Sequence, residues 1–157
     1  MIRLALVRHA KSEWGNPGLD DHDRPLNDRG RRDAPRMAAR LAATGFRPDV
    51  ILSSTAVRAR TTAEAFAAEL GVAVSLDPEL YGAPARTLLA AAAATRAATV
   101  MVVAHDPGMS ALAASLSDGD IDHMPTCAVA TFIWAQDDWD VASSVDPDNW
   151  TFDTPPR

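Results

Sequence analysis

Arg8-His9-Ala10 follows an apolar run, Leu4 to Val7. A strand that stops on a cation and an imidazole delivers both to the carboxyl end of a sheet, where open α/β proteins bind ligands. A second run, Thr99 to Ala104, stops in the same way on His105. Between them Val50-Ile51-Leu52 gives way to Ser53-Ser54-Thr55-Ala56-Val57-Arg58-Ala59-Arg60. Three strand ends therefore supply two histidines and at least two arginines, a set suited to a phosphoryl group. A neutral imidazole nitrogen can attack phosphorus and divide one hard displacement into two easier ones, which makes His9 the candidate nucleophile. Arg8 and Arg58 can each hold phosphoryl oxygens with a planar fork, and Arg58 would sit at a helix start, where anions are favoured. A protonated His105 would stabilise charge spreading over the equatorial oxygens. Taken singly, each of these residues has an ordinary reading as a surface pair, a structural histidine or a solvated helix arginine. Arg60 keeps that ordinary reading.

The elements that must position them follow from periodicity and punctuation. Ile2 to Val7, Val50 to Ser53, Val72 to Ser75 and Thr99 to Ala104 read as strands. Asn27 reads as the N-cap of a helix to about Thr44, with Ala34, Met37, Ala38 and Leu41 inward and a kink or late start at Pro35. Ser54 or Thr55 would cap a second helix to about Leu70 that buries Ala59, Ala63, Phe66 and Leu70 and stops at Gly71. Pro84 to Ala94 and Pro107 to about Ser117 read as two more helices. Cys127 to Ala135 and Trp139 to Ser143 read as paired strands with a turn at 136–138. Strands alternating with helices indicate an α/β three-layer sandwich, its central sheet mostly parallel with one antiparallel end. The expected domain spans residues 1–145, and residues 146–157, polar with three prolines, read as a surface tail. Ala10 to Leu26 is a long aperiodic loop leaving directly from Arg8-His9, a length that marks function or disorder.

At 157 residues the chain has the size of one domain with a full core. Its formal charge of −6 argues against a general nucleic-acid surface, so the arginines at the strand ends are a local exception. A single cysteine, Cys127, excludes an internal disulfide. The apolar start is too short for a signal-peptide core, and no run is long enough to span a membrane. The expectation is a cytoplasmic protein with no nucleic-acid or membrane partner. His22, His105, His123 and several aspartates lack metal-ligand spacing, so neither a metal nor another cofactor is expected.

Four blocks together resemble the histidine phosphatase superfamily, the phosphoglycerate mutase-like fold. Leu6-Val7-Arg8-His9-Ala10 resembles its Arg-His-Gly signature, with Ala10 in place of glycine. Pro25-Leu26-Asn27-Asp28-Arg29-Gly30 is similar to its Leu-Thr-x-x-Gly segment. Ser53 to Ala63 matches its Ser-Ser-x-x-x-Arg-Ala-x-x-Thr-Ala block, and Val102-Val103-Ala104-His105 its Val-Val-x-His block. The order is the family's, and the resemblance runs from Ile2 to about Leu116. The compact length, without room for a lid insertion, is similar to the SixA-type phosphohistidine phosphatases. The resemblance implies a transient phosphohistidine on His9, a phosphate pocket of Arg8, Arg58 and His105, and no metal. Gly15 stands near the place where larger members carry an asparagine ligand. Ser12 keeps a hydroxyl nearby and is a secondary candidate for a phosphate ligand. Asp77 to Ala83 resembles the segment that supplies a glutamate acid, which nominates Glu79 as proton donor; Asp20, Asp21 and Asp23 are the alternatives.

The expected activity is a metal-independent phosphatase acting on a phosphohistidine protein or a phosphorylated small molecule. The alternatives are a small-molecule phosphomonoesterase or mutase of the same family, and a non-catalytic phosphate-binding domain.

Overall fold

The computed structural model describes residues 1–156. Six strands, β1 Ile2–Arg8, β2 Val50–Ser53, β3 Val74–Leu76, β4 Thr99–Ala104, β5 Val129–Trp134 and β6 Asn149–Asp153, form one sheet in the order β3-β2-β4-β1-β5-β6. β1, β2, β3 and β4 are parallel, β5 runs antiparallel to β1, and β6 runs antiparallel to β5. Helices α1 Asp28–Ala43 and α2 Val57–Leu70 cover one face; α3 Ala85–Ala94, α4 Gly108–Leu116 and the short α5 Trp139–Ala142 cover the other. This is the three-layer α/β architecture expected, with the antiparallel end where the parallel pattern stops.

The strand sequences explain the layering. Along β1, Leu4 and Leu6 enter the core under α3 and α4, while Ala5 and Val7 enter the core under α1 and α2. β4 does the same with Val100 and Val102 against Met101 and Val103. A parallel strand covered on both faces has no polar side, and all six residues of β4 are buried. Each such aliphatic side chain contributes about 1.5–3 kcal/mol on burial, so β1 and β4 form the centre of the sheet.

α1 starts where its cap is. Asn27 accepts a hydrogen bond from the Gly30 N–H at 2.9 Å. The helix is continuous through Pro35, with no late start. Pro35 lies on the exposed face, where water can reach the carbonyl that its missing N–H leaves free. α2 differs from expectation at its start. Neither Ser54 nor Thr55 caps it; the N-cap is Ala56. Both hydroxyls have other partners, Ser54 with His105 and Thr55 with His22.

The C-terminal third departs most. Trp139 to Ser143 forms no strand; Trp139–Ala142 is one helical turn. Asp138 accepts from the Asp140 N–H, and the buried Trp139 indole packs against Trp134 while donating to the Ala97 carbonyl. The strand that pairs with β5 is Asn149–Asp153, inside the segment read as a tail. Its alternation is the overlooked signal: Trp150 packs on the core while Thr151 faces Thr131 on the other side. An ion pair from Arg40 to Asp153 ties it to α1. No helix among the described residues is long and apolar enough to cross a membrane.

Gly30 explains one of the sequence blocks. A Cβ there would stand 2.1 Å from the Lys11 carbonyl oxygen, so only glycine lets α1 press against the chain just beyond His9. Gly30→Ala is expected to lower stability by about 1–3 kcal/mol, the usual cost of overpacking. Urea unfolding measures it, and an unchanged midpoint would refute the close approach.

Candidate active site

Register builds the site. Arg8 lies opposite Ala104, and Ser53 opposite Val103, so β1, β2 and β4 end at one level. The chain continues in step: the His9 N–H bonds the Ala104 carbonyl and the Ser54 N–H bonds the Val103 carbonyl. Thr62 on α2 fixes the turn after His9, its hydroxyl accepting from the Ala10 N–H at 3.0 Å and donating to the Arg58 carbonyl. His9, His105 and Arg58 thereby converge, with the two imidazole centroids 5.1 Å apart.

His9 is only 7% exposed. Its Nδ1 lies 2.7 Å from the Ala10 carbonyl oxygen, so Nδ1 carries the proton and Nε2 keeps its lone pair. Burial lowers its pKa to about 3, aided by His105, Arg58 and Arg8 and opposed by the Ala10 bond. The imidazole is therefore neutral near pH 7, as a nucleophile must be. His105 is also buried, and its pKa falls to about 4 through burial and the Arg58 charge. His105 is therefore neutral near pH 7 in the free site. Ser54 Oγ accepts from the Ala56 N–H and lies 2.7 Å from His105 Nε2; in the tautomer where the hydroxyl donates to Nε2, the ring proton is on Nδ1, which is buried without a protein partner.

Arg8 donates from Nη1 to the Met124 carbonyl at 2.9 Å and lies 3.6 Å from Asp106. Arg58 donates from Nη1 to the Asp21 carbonyl at 2.7 Å and from Nη2 to its carboxylate at 3.0 Å. Both leave Nε buried and unpartnered. Among the described residues four buried side-chain polar atoms lack a partner. Three are the N–H donors of Arg8, Arg58 and His105, and all three residues line one cavity of about 320 Å³ beside His9. Buried donors are nearly always paired, so three orphans on residues that line one cavity point to a place suited to an anion. A larger cavity of about 440 Å³ opens at the opposite end of the strands, near Arg3, Phe46 and Thr99. No histidine or acid lines it among the described residues, so it has no nucleophile.

Ser12 lines the catalytic-end cavity, but its hydroxyl accepts from Arg24 Nη1 at 2.7 Å. Arg24 is a site residue that sequence reasoning missed. It is buried, lines the same cavity, bonds Asp21 and stacks 3.6 Å over the Trp14 ring. An arginine in an acidic, aperiodic loop carries no signal of burial.

The candidate proton donors fare differently. Glu79 is exposed on the 3-10 turn Pro78–Leu80 and does not line the cavity. Its segment reaches the site through Tyr81, whose ring packs edge-on to His105 and whose hydroxyl donates to Asp21. Asp21 is no acid either. The Tyr81 hydroxyl, with Arg58 and Arg24, holds its carboxyl well below the usual carboxylate range. Asp20 and Asp23 flank it outside the cavity lining.

Comparison with known proteins identifies a family. The model of the histidine phosphatase superfamily (branch 1) matches residues 4–82. A crystal structure described as a candidate phosphohistidine phosphatase SixA from Agrobacterium tumefaciens superposes with a TM-score of 0.82 at 33% identity, covering 98% of this chain and 99% of its own. A similar protein from Nakamurella multipartitia gives 0.81 at 28% identity, covering 98% and 96%. An uncharacterized chloroplastic protein of Arabidopsis thaliana is 31% identical over 94% of this chain and 74% of its own length. The chain belongs to the histidine phosphatase superfamily, branch 1, as a SixA-type member with the phosphoglycerate mutase-like fold, and is a phosphatase-type hydrolase.

Proposed function

We propose that the chain hydrolyses the phosphoramidate bond of phosphohistidine, carried on a protein, through a phosphoenzyme on His9. His9 Nε2 attacks phosphorus, the bond to the substrate imidazole breaks, and that ring leaves with the bond's electron pair. Water then attacks phospho-His9, its oxygen bonds phosphorus, and His9 is released with inorganic phosphate. The Arg8, Arg58 and His105 donors take the developing negative charge in both steps.

One observation favours this substrate over an alkyl phosphate: no free carboxyl stands beside His9. Among the described residues Asp106 is the one acid lining the cavity, and its oxygens accept from the Ser110 N–H at 2.9 Å and hydroxyl at 2.7 Å. An alkoxide must be protonated as it leaves. An imidazole already protonated on its other nitrogen leaves neutral. The similarity to the SixA-type proteins supports the same reading.

A phosphohistidine protein is therefore expected to turn over faster than an alkyl phosphate by about the 10²–10⁴-fold that a general acid contributes. Acid-labile phosphate should be trapped on the wild type and not on His9→Ala. Equal rates on both substrates would reject the leaving-group argument, and trapping on the variant would reject His9.

Arg58→Ala should cost on the order of a hundredfold in kcat, comparable with loss of one oxyanion donor. Arg60 is exposed and pairs with Glu64, so Arg60→Ala should cost little. Steady-state kinetics of both variants decide it, and equal losses would refute the assignment.

Stability should follow the buried histidines. Unfolded histidine titrates near 6.5, whereas His9 and His105 do so at about 3 and about 4 in the fold. Between those values the unfolded chain binds more protons, so their contribution is present above pH 6.5 and is lost as pH falls toward 4. Urea midpoints of His9→Asn should decline less steeply over that window than those of wild type. Parallel declines would mean that His9 titrates normally.

A further inference from the structure

We propose that Asp21 is the positioning residue for Arg58: it occupies one edge of the guanidinium and so fixes which edge meets the phosphoryl group. The inference rests on the phosphatase reading above for the role of Arg58, but its geometry stands by itself. A guanidinium offers two bidentate edges, the end edge between the two Nη atoms and the side edge between Nε and Nη2. Asp21 takes the end edge twice over, with its main-chain carbonyl on Nη1 and its carboxylate on Nη2. The Nε–H and the second Nη2 hydrogen remain, and Nε is a buried donor without a partner. The side edge is therefore the one left without a protein partner.

Asp21 is itself held on several sides. Arg24 Nε donates to its Oδ1 at 3.1 Å, and the Tyr81 hydroxyl donates to Oδ2. The next residue, His22, bonds the Thr55 hydroxyl just ahead of α2 at 2.8 Å. Tyr81 also packs edge-on to His22 and His105, with centroids 5.0 and 5.5 Å away. One carboxylate thus joins the loop after His9, the first turn of α2 and the turn after β3. A half-exposed aspartate with three donors is more than a surface ion pair, because each donor comes from a different element of the site.

A proton donor at this position would need a hydrogen to give, which three charge-assisted or hydroxyl donors deny it. A carboxylate that merely competed with substrate would hold the Nε edge, and it holds the other.

The test is a double-mutant cycle on the intact chain. Wild type, Asp21→Ala, Arg58→Ala and the double variant are titrated with vanadate and assayed on aryl phosphates of differing leaving-group acidity. Asp21→Ala is expected to weaken vanadate binding and lower kcat by about tenfold to a hundredfold, the cost of misplacing a clamp. The loss should be the same for every leaving group. The double variant should be no worse than Arg58→Ala, because Asp21 acts through that arginine. Asp21→Asn, which keeps an acceptor oxygen, should fall between and runs the same cycle if the alanine variant does not fold. Additive losses would overturn the proposal, as would tighter vanadate binding without Asp21 or a loss that grows with leaving-group basicity. A wild type that binds vanadate with this coupling yet hydrolyses nothing would defeat the phosphatase reading and leave the placement of Arg58 standing.

Discussion

The parallel pairing of β1 with β4, in the register that sets Arg8 opposite Ala104, is the contact on which the site depends. A slip of one residue would turn every side chain of β1 to the other face and send His9 into a helix layer. The register is strongly specified because both faces of both strands are buried. Leu4 and Leu6 cannot exchange places with Ala5 and Val7 without overfilling one core and emptying the other. Core packing thus aligns the strand ends, and the strand ends align the two imidazoles. β2 joins the same level through Ser53 opposite Val103 and adds the helix that carries Arg58 and Thr62.

Electrostatics then gives these positions their character. Four basic residues and one acid line the cavity of a chain whose formal charge is −6. The fold concentrates positive charge where the average surface repels anions. The same concentration keeps His9 neutral, since burial and three cationic or ionisable neighbours oppose its protonation. The free site therefore holds a lone pair surrounded by unmet N–H donors. An unsatisfied buried donor costs about 1–3 kcal/mol, and an anion that accepts from Arg8, Arg58 and His105 relieves three of them at once. Binding and charge stabilisation during the reaction come from the same donors.

Much of this was legible because it lies in local pattern. The strand ends at Arg8, Ser53 and Ala104, the cap at Asn27 and the stop at Gly71 are each written in a few adjacent residues. Arg8, His9, Arg58 and His105 were found because apolar runs break at them. The failures share a cause. The contacts of Tyr81 and Asp21 join a loop without periodicity to elements far along the chain, and those of Arg24 lie within that loop, where no pattern marks burial. β6 was hidden because prolines and acids around it outweighed the short alternation of Trp150 and Phe152. The segment nominates Glu79, but the turn at Pro78–Leu80 exposes it, and the contacts to His105 and Asp21 come from Tyr81, itself 39% exposed.

The missing acid changes how the active site should be understood. The long loop supplies Asp21 and Arg24, but as an ion-paired brace in which every carboxylate oxygen is already an acceptor. Such a brace ties the cations together, and Asp106, the acid that lines the cavity among the described residues, is likewise occupied, by Ser110. Rigid oxyanion binding without proton donation selects substrates by leaving group rather than by shape. Trp14, at the edge of the cavity, is 71% exposed. On the proposed reading the substrate is a phosphorylated side chain that projects from a protein surface and whose leaving group is an imidazole.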